Sequence, residues 1–360
     1  MSEDSFRRLA RVLDTLPNGF PATPDGLEIR ILQKIFTPEE ADLACDLRLT
    51  PETAPQIAGR TGRPLDGLEE MLSLMWEKGE ILRVVLGGTP YFRLIPWVIG
   101  IYELQLKRMD RQFAELAEKY SPYMGLQMIS HGPPIMQVIP VEREIPVEHR
   151  PLRYEQVSAI IEGGKSFALH ECICKKERGL LDKPCPKPLE VCMAIAPVPG
   201  VFADNPRGRE ISREEAYQVL RTAEEAGLVH MTMNVQDGHY FICNCCGCCC
   251  GILRGINLLG KAQGLVNAHF RAEIDAQRCV ACGVCAHERC QVRAISGQDG
   301  AYVVDRRRCI GCGLCVTTCP SEAIRLVHKG GDELSVPPED EAQWMEVRGR
   351  SRGVDYSSLK

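Results

Sequence analysis

The residues whose type and spacing promise chemistry run from Cys279 to Pro320. Cys279, Cys282 and Cys285 are separated by two residues each and followed by Cys290; Cys309, Cys312 and Cys315 repeat the pattern, followed by Cys319 and Pro320. Three thiolates at that interval can wrap one face of an iron-sulfur cube, and the fourth cysteine of each run ligates the cube held by the other. The spacing therefore predicts two 4Fe-4S clusters, one on Cys279, Cys282, Cys285 and Cys319, the other on Cys309, Cys312, Cys315 and Cys290. Structural zinc also uses paired C-x2-C spacings, but a third cysteine at the same interval suits a cube better than one tetrahedral ion. The first run departs from the pattern. Four residues, Ala286 to Arg289, separate Cys285 from Cys290 where three are usual, and Gln291 stands where proline is expected. Gly283, Gly311 and Gly313 suit a backbone that must wrap a cluster closely.

A second cysteine region has a less ordinary composition. Cys172, Cys174, Cys185 and Cys192 precede a tract holding Cys243, Cys245, Cys246, Cys248, Cys249 and Cys250. Six cysteines within eight residues would oxidise or scramble if left free, so the tract reads as a metal or cluster site. Spacing alone leaves its contents open. Ten thiolates could hold two further 4Fe-4S clusters with two cysteines over, one cluster beside a redox-active dithiol, or a larger fused cluster; zinc for part of the site is the alternative. His170 and Glu171 could ligate or tune a cluster, although a single histidine at a strand end is more often just hydrogen-bonded. Lys175, Lys176 and Arg178 could favour anionic thiolates, or form a solvated basic turn. Cys45 reads as an ordinary buried cysteine.

Composition narrows the setting. Nineteen cysteines in 360 residues, with charges scattered through Met1 to Phe20 and no apolar signal-like core there, fit metal-bound thiolates in a reducing cytoplasm better than disulfides. No apolar run is long enough to span a bilayer, so no membrane insertion is expected. A net charge of -5 and a pI near 6.0 give no global attraction to nucleic acid or anionic lipid. No G-x-G-x-x-G opens a helix after a strand, so no dinucleotide site is visible.

The elements that must position these cysteines follow from local signals. Thr37-Pro38-Glu39-Glu40 predicts a capped helix ending near Cys45, Thr50-Pro51 a second ending at Gly59 or Gly62, and Leu65 to Lys78 a third with Leu68, Met71, Leu72 and Met75 on one face. Two short strands, Ile81 to Leu86 and Tyr91 to Leu94, follow around Gly87-Gly88. Residues 1–96 thus read as a winged-helix-like region. Its third helix is acidic, which argues against DNA binding and for a docking or folding module. Ile99, Tyr102, Leu106, Met109, Phe113, Leu116 and Tyr120 form a heptad stripe on one expected helix over residues 99–120, packed on the protein's own body or offering a homodimer seam. Residues 97–150 join that helix to a proline-rich connector from Ser121 to Arg150. Residues 151–265 read as a small α/β cysteine-rich domain: a helix at Tyr154 to Glu162, a strand at Ser166 to His170, a helix opened by Ser212-Arg213-Glu214-Glu215, and a hairpin returning the six-cysteine tract toward Cys172 and Cys174. Residues 266–329 hold the doubled cluster run. Residues 330–360 read as a mobile tail or a strip lying on the body. The fold class is α+β.

The layout resembles the ferredoxin-type 4Fe-4S dicluster-domain proteins of anaerobic bacteria and archaea. The resemblance rests on Cys172-Ile173-Cys174, Pro188-Leu189-Glu190-Val191-Cys192, Ile211 to Ala216, Phe241 to Cys246 and the doubled C-terminal run, and spans about Ile29 to Val327. It implies a C-terminal two-cluster bacterial ferredoxin fold, cluster binding, and electron transfer in anaerobic metabolism with a redox partner protein. It brings no settled reaction with it. The expected function is an electron carrier whose two C-terminal clusters relay single electrons to or from the central site. The alternatives are an oxidoreductase with a catalytic central cluster, motivated by the surplus cysteines, and a redox-responsive DNA-binding regulator.

Overall fold

Short polar residues placed ahead of apolar runs start several helices of the first 130 residues. The computed structural model describes residues 4–146 and 151–360; residues 1–3 and 147–150, the end of the expected connector, lie outside the described residues. Asp4 caps α1 (Ser5–Thr15) by accepting the Phe6 N–H, and the helix buries Phe6, Leu9, Ala10 and Leu13. After α2 (Leu27–Ile35), α3 (Pro38–Ala44) starts at the expected Thr37/Glu40 capping box. The next helix, α4 (Ala54–Thr61), starts later than Thr50-Pro51 because Thr53 and Gln56 form a competing capping box; it stops at Gly62, which takes the left-handed conformation. Helix α5 (Leu68–Glu77) buries Leu68, Leu72, Met75 and Trp76 but leaves Met71 exposed, a one-position difference from the expected face. Strands β1 (Leu82–Leu86) and β2 (Thr89–Arg93) pair antiparallel around Gly87-Gly88, as expected.

The expected helix over residues 99–120 is corrected. A π-turn at Trp97–Ile101 and a single turn at Tyr102–Leu104 come first, and the long helix α6 runs Arg111–Ser130. Asp110 decides the break, since its carboxylate accepts the Phe113 N–H (2.8 Å) and caps α6 there. Leu106, Met109, Phe113 and Tyr120 are buried, with Phe20 and Trp97 packed on Tyr120. Those four residues of the stripe are therefore spent inside their own unit, while Ile99, Tyr102 and Leu116 are half-buried. Pro122 lies within α6 rather than in a connector, and Met124, two residues on, is buried.

The chain divides into two compact units, Met1–Gln127 with Lys176–Pro184 and Met345–Lys360, and Met128–Lys175 with Cys185–Trp344. The cysteine-rich residues of 151–265 and the run of 266–329, expected as two domains, share the second. In the first unit the C-terminal segment is tied down rather than mobile: buried Arg348 donates from Nε to the Pro17 carbonyl (3.0 Å) and Leu49 N–H to the Leu359 carbonyl (2.7 Å).

A seven-stranded mixed sheet organises the second unit. Its strands are β3 (Met136–Ile139), β4 (Ser166–Glu171), β5 (Glu190–Ala196), β6 (Arg209–Ile211), β7 (Val229–Met233), β8 (Phe241–Cys245) and β9 (Val266–Asn267), in the order β6-β4-β5-β8-β7-β3-β9. Helices α7 (Val157–Gly163) and α9 (Arg213–Glu225) pack Val157, Ile160, Ile161, Ala216 and Leu220 with Phe167, Ile195 and Ile242 of the sheet, while α8 (Ile173–Leu180) leaves the end of β4 and α10 (Gly251–Leu259) follows the six-cysteine tract. Two further antiparallel pairs complete the unit: β10 (Phe270–Ile274) with β13 (Ile324–His328), and β11 (Ile295–Gln298) with β12 (Ala301–Val304). No helix among the described residues is long and apolar enough to cross a membrane.

Candidate metal centres

The two C-terminal cysteine runs fold as an internal repeat. Asp275 and Asp305 open them: each main-chain carbonyl accepts the N–H of the cysteine four residues on, Cys279 and Cys309, at 3.0 Å. Each carboxylate also accepts the N–H two residues on, from Gln277 and Arg307, at 2.9 Å. The halves then interlock, because Asp275 N–H donates to the Ala323 carbonyl (2.8 Å) and Asp305 N–H to the Ala294 carbonyl (2.7 Å).

That exchange sets Cys319 near Cys279, Cys282 and Cys285, and Cys290 near Cys309, Cys312 and Cys315. Burial pushes the Cys285 thiol up to about 11, and Cys282, Cys279 and Cys319 add to the rise. Burial likewise raises Cys315, with Cys312, Cys309 and Cys290 acting the same way. Backbone N–H groups face the sulfurs: Ala294 donates to Cys290 (3.1 Å), Ala323 to Cys319 (3.2 Å) and Ala272 to Cys309 (3.3 Å). Such donors stabilise the thiolate form that cluster binding requires and tune cluster potential. The first set lines a pocket with Ile274, Val280, Tyr302, Pro320 and Ile324. Soft donors with N–H support and a largely apolar lining fit iron-sulfur cubes. Gly311, at a φ of +59°, passes so close to Phe270 that a Cβ would fall 2.1 Å from its carbonyl oxygen.

The lengthened Cys285–Cys290 spacer has a local solution. Cys285–Arg289 forms a π-turn closed by Cys290 N–H donating to the Cys285 carbonyl (3.0 Å), so the extra residue is absorbed and Cys290 keeps the same N–H···S bond as Cys319. The turn also places Arg289, which is buried. Its guanidinium donates to the carbonyls of Leu314 (3.1 Å), Glu225 (3.0 Å) and Glu224 (2.8 Å) and to Thr317 Oγ1 (3.2 Å), tying the end of α9 to the second run. Gln291, in the place of the expected proline, meets the six-cysteine tract. Gly247 N–H donates to Gln291 Oε1 (3.0 Å), Asn257 Nδ2 donates to the Gln291 carbonyl (3.0 Å), and a Cβ on Gly247 would lie 2.0 Å from that carbonyl oxygen.

The ten central cysteines converge where three strands of the sheet end. Cys192 sits opposite His170 across β4 and β5, and Met193 opposite Ile242 across β5 and β8, which brings Cys192 and Cys243 to neighbouring positions. Within this convergence the thiols form two groups. Cys185, Cys246, Cys248 and Cys249 have sulfur atoms all within 4.8 Å of one another; the Cys185 sulfur is 3.8 Å from Cys246 and 3.5 Å from Cys248, and Cys248 is 3.3 Å from Cys246 and 3.7 Å from Cys249. The other six can be followed from thiol to thiol in a row, Cys174, Cys172, Cys192, Cys243, Cys245 and Cys250, which folds back on itself, since Cys250 and Cys245 also act on Cys174. Val191, Ala223 and Leu228 pack beside both groups.

Hydrogen bonds from neighbouring thiols, with the Lys175 charge, favour thiolates at two of these positions. Hydrogen bonding from Cys249, then from Cys248, with the Lys175 ammonium nearby, lowers Cys246 against its burial. Cys174 and Cys192 lower Cys172, helped by the Lys175 backbone N–H and charge. Lys175 is itself buried and acts on both thiols, whereas Arg178 pairs with Glu118 (2.8 Å). His170 is outside the close thiol group: burial lowers its pKa to about 4, and Gly208 passes directly over its ring. Cys45 donates its thiol hydrogen to the Ala41 carbonyl, a local role.

Residues that sequence reasoning missed hold this arrangement in place. Asn244, between Cys243 and Cys245, is fully buried, with Oδ1 2.5 Å from His230 Nδ1 and its amide donating to the Val191 carbonyl (2.6 Å). His230 Nε2 in turn lies 3.3 Å from Glu224. The one sequence signal for the contact with the C-terminal runs was Gln291 breaking the Cys-Pro pattern.

Among known families, the 4Fe-4S binding domain matches residues 302–325, the stretch from β12 to the start of β13 that carries Cys309, Cys312, Cys315 and Cys319. No curated protein and no solved structure matches the chain. The matched domain and the gathered central thiols make this an iron-sulfur protein with at least one 4Fe-4S cluster and a cysteine-rich site able to bind more metal.

Proposed function

We propose that this chain is a cytoplasmic electron-transfer protein of anaerobic metabolism. Two C-terminal 4Fe-4S clusters, on Cys279, Cys282, Cys285 and Cys319 and on Cys309, Cys312, Cys315 and Cys290, relay electrons to or from a central iron-sulfur site. Each cube, when bound, takes up or releases one electron. The chain's own residues supply the thiolates, the N–H···S bonds that tune them and the buried, apolar setting. In this reading the six-thiol row is the central redox site, and a redox partner protein supplies or accepts the electrons.

The observation that carries the reading is the seam between Gln291 and Gly247. Gln291 follows Cys290, a ligand of the second cube in this reading, and Gly247 lies between Cys246 and Cys248, so two redox-capable regions are joined through directly packed backbone. The first unit, with its winged-helix-like order of three helices and a hairpin, serves as a docking or folding module. Exposed Glu69, Glu70 and Glu77 on α5 present the wrong charge for a DNA backbone. Iron and sulfide quantification on anaerobically prepared protein, with EPR of the reduced form, tests the proposal. Two cubes require about eight irons and a filled central row requires more; protein without iron, or without reduced-cluster EPR signals, would end it.

A further inference from the structure

The ten central cysteines have two kinds of geometry, and they ask for two kinds of occupant. Four thiolates around one ion at a metal–sulfur distance of about 2.3 Å form a tetrahedron with edges of about 3.8 Å. Four of the six sulfur–sulfur separations among Cys185, Cys246, Cys248 and Cys249 run from 3.3 to 3.8 Å, and all pairs lie within 4.8 Å. Ligands of a cube bind four different irons at its corners and must stand farther apart. Within this same chain the two C-terminal sets, whose spacing is that of cubes, are not gathered to that distance among the described residues. The four-thiol group is thus sized for one ion, while the six-thiol row is not.

The surrounding chain holds this group ready. Cys185 lies between Pro184 and Pro186, so its loop loses little conformational freedom on presenting a thiol. The Cys246 to Cys249 turn is closed by Cys250 N–H on the Cys246 carbonyl (3.1 Å). The buried Lys175 ammonium offsets part of the charge that four thiolates bring. A tetrahedral set of four sulfurs selects zinc or iron, and zinc binds such a set more tightly than ferrous iron does.

The geometry points to a mononuclear zinc site on Cys185, Cys246, Cys248 and Cys249, distinct from the iron-sulfur site on the six-thiol row. The proposal rests on the relay reading and deepens it. Zinc carries no electron; by fixing Cys246 and Cys248 it pins Gly247 between them against Gln291, and so holds the seam between the central site and the second C-terminal run.

The test uses the full chain purified anaerobically. Metal analysis should give one zinc per chain that survives dialysis against a mild chelator, and zinc K-edge absorption should give four sulfurs at about 2.3 Å. Growth with cobalt should yield the absorption bands of a tetrahedral cobalt–thiolate centre, a readout that needs no variant. Cys185→Ser should drop zinc from one per chain to near zero while the EPR signals of the C-terminal clusters persist. Loss of about four irons in Cys185→Ser, with zinc absent from wild type, would mean a cube and overturn the assignment. A single iron bound by four sulfurs, or zinc stripped by the mild chelator, would overturn it as well. Failure of the relay reading would show instead as missing C-terminal EPR signals, with zinc content unchanged.

Discussion

Gly247→Ala probes the seam at its narrowest point. The new Cβ would lie 2.0 Å from the Gln291 carbonyl oxygen and 3.0 Å from its carbon, contacts to backbone rather than to a side chain that can swing away. Reaching even 3.0 Å from the oxygen requires about 1 Å of separation between the six-cysteine tract and the residue following Cys290. Overpacking of this kind costs about 1–3 kcal/mol, which lowers the anaerobic unfolding midpoint and weakens the Gly247 N–H bond to Gln291 Oε1. Gly59→Ala is the matched control: nothing lies within 4 Å of its Cβ, and in α4 it should gain roughly 0.5–1 kcal/mol. Denaturant unfolding gives the energy, and stopped-flow reduction gives the rate at which electrons equilibrate between the C-terminal and central sites. Gly247→Ala should be destabilised and slower, with its iron retained. Wild-type stability together with wild-type kinetics would refute that expectation.

Other perturbations test separate parts of the account. Arg289→Ala strips donors from the buried Leu314 carbonyl and the part-buried Glu224 and Glu225 carbonyls and should lower the unfolding free energy by about 1–3 kcal/mol, measured against Arg306→Ala, whose side chain is exposed. Glu80, fully buried beside Lys78 and Arg108, has its carboxyl pushed up to about 7 by burial. The folded chain therefore holds that proton more tightly than the unfolded one, so its stabilisation is present below pH 4.5 and lost as pH rises through 7. Between pH 4.5 and 8 the stability difference should move in favour of Glu80→Gln by up to about 3 kcal/mol, and parallel profiles would contradict the shift. Phe113→Glu buries a charge in the first unit and should unfold it. If size-exclusion chromatography instead gave a folded monomer from a wild-type dimer, the stripe would be a seam after all.

What the sequence made legible was chemistry fixed by short spacing. The two C-x2-C-x2-C runs, the Thr37 capping box and the Gly87-Gly88 hairpin are each decided within a few residues; the capping box and the hairpin stand where expected, and the 4Fe-4S binding domain matches the second run. The stripe from Ile99 to Tyr120 misled because a three-and-four rhythm does not reveal that Asp110 will cap a new helix in its middle. The start of α4 was missed for a similar reason, two capping signals lying three residues apart. The division of the ten central cysteines could not be read at all. It depends on the register of β5 against β8, which sets Cys192 beside Cys243, and on a loop that brings Cys185 to Cys246 from 61 residues away. Gln291 was visible as a broken pattern, but its partner at Gly247 exists only once the sheet has carried the tract back.

The relay itself is tested most directly by freeze-quench EPR of the anaerobic protein mixed with a limiting reductant, in wild type and in Cys312→Ser. The account predicts that the C-terminal cluster signals form first and decay as the central signal rises, and that Cys312→Ser delays the central signal while leaving its final amplitude. A central signal that rises as fast in Cys312→Ser as in wild type would contradict it.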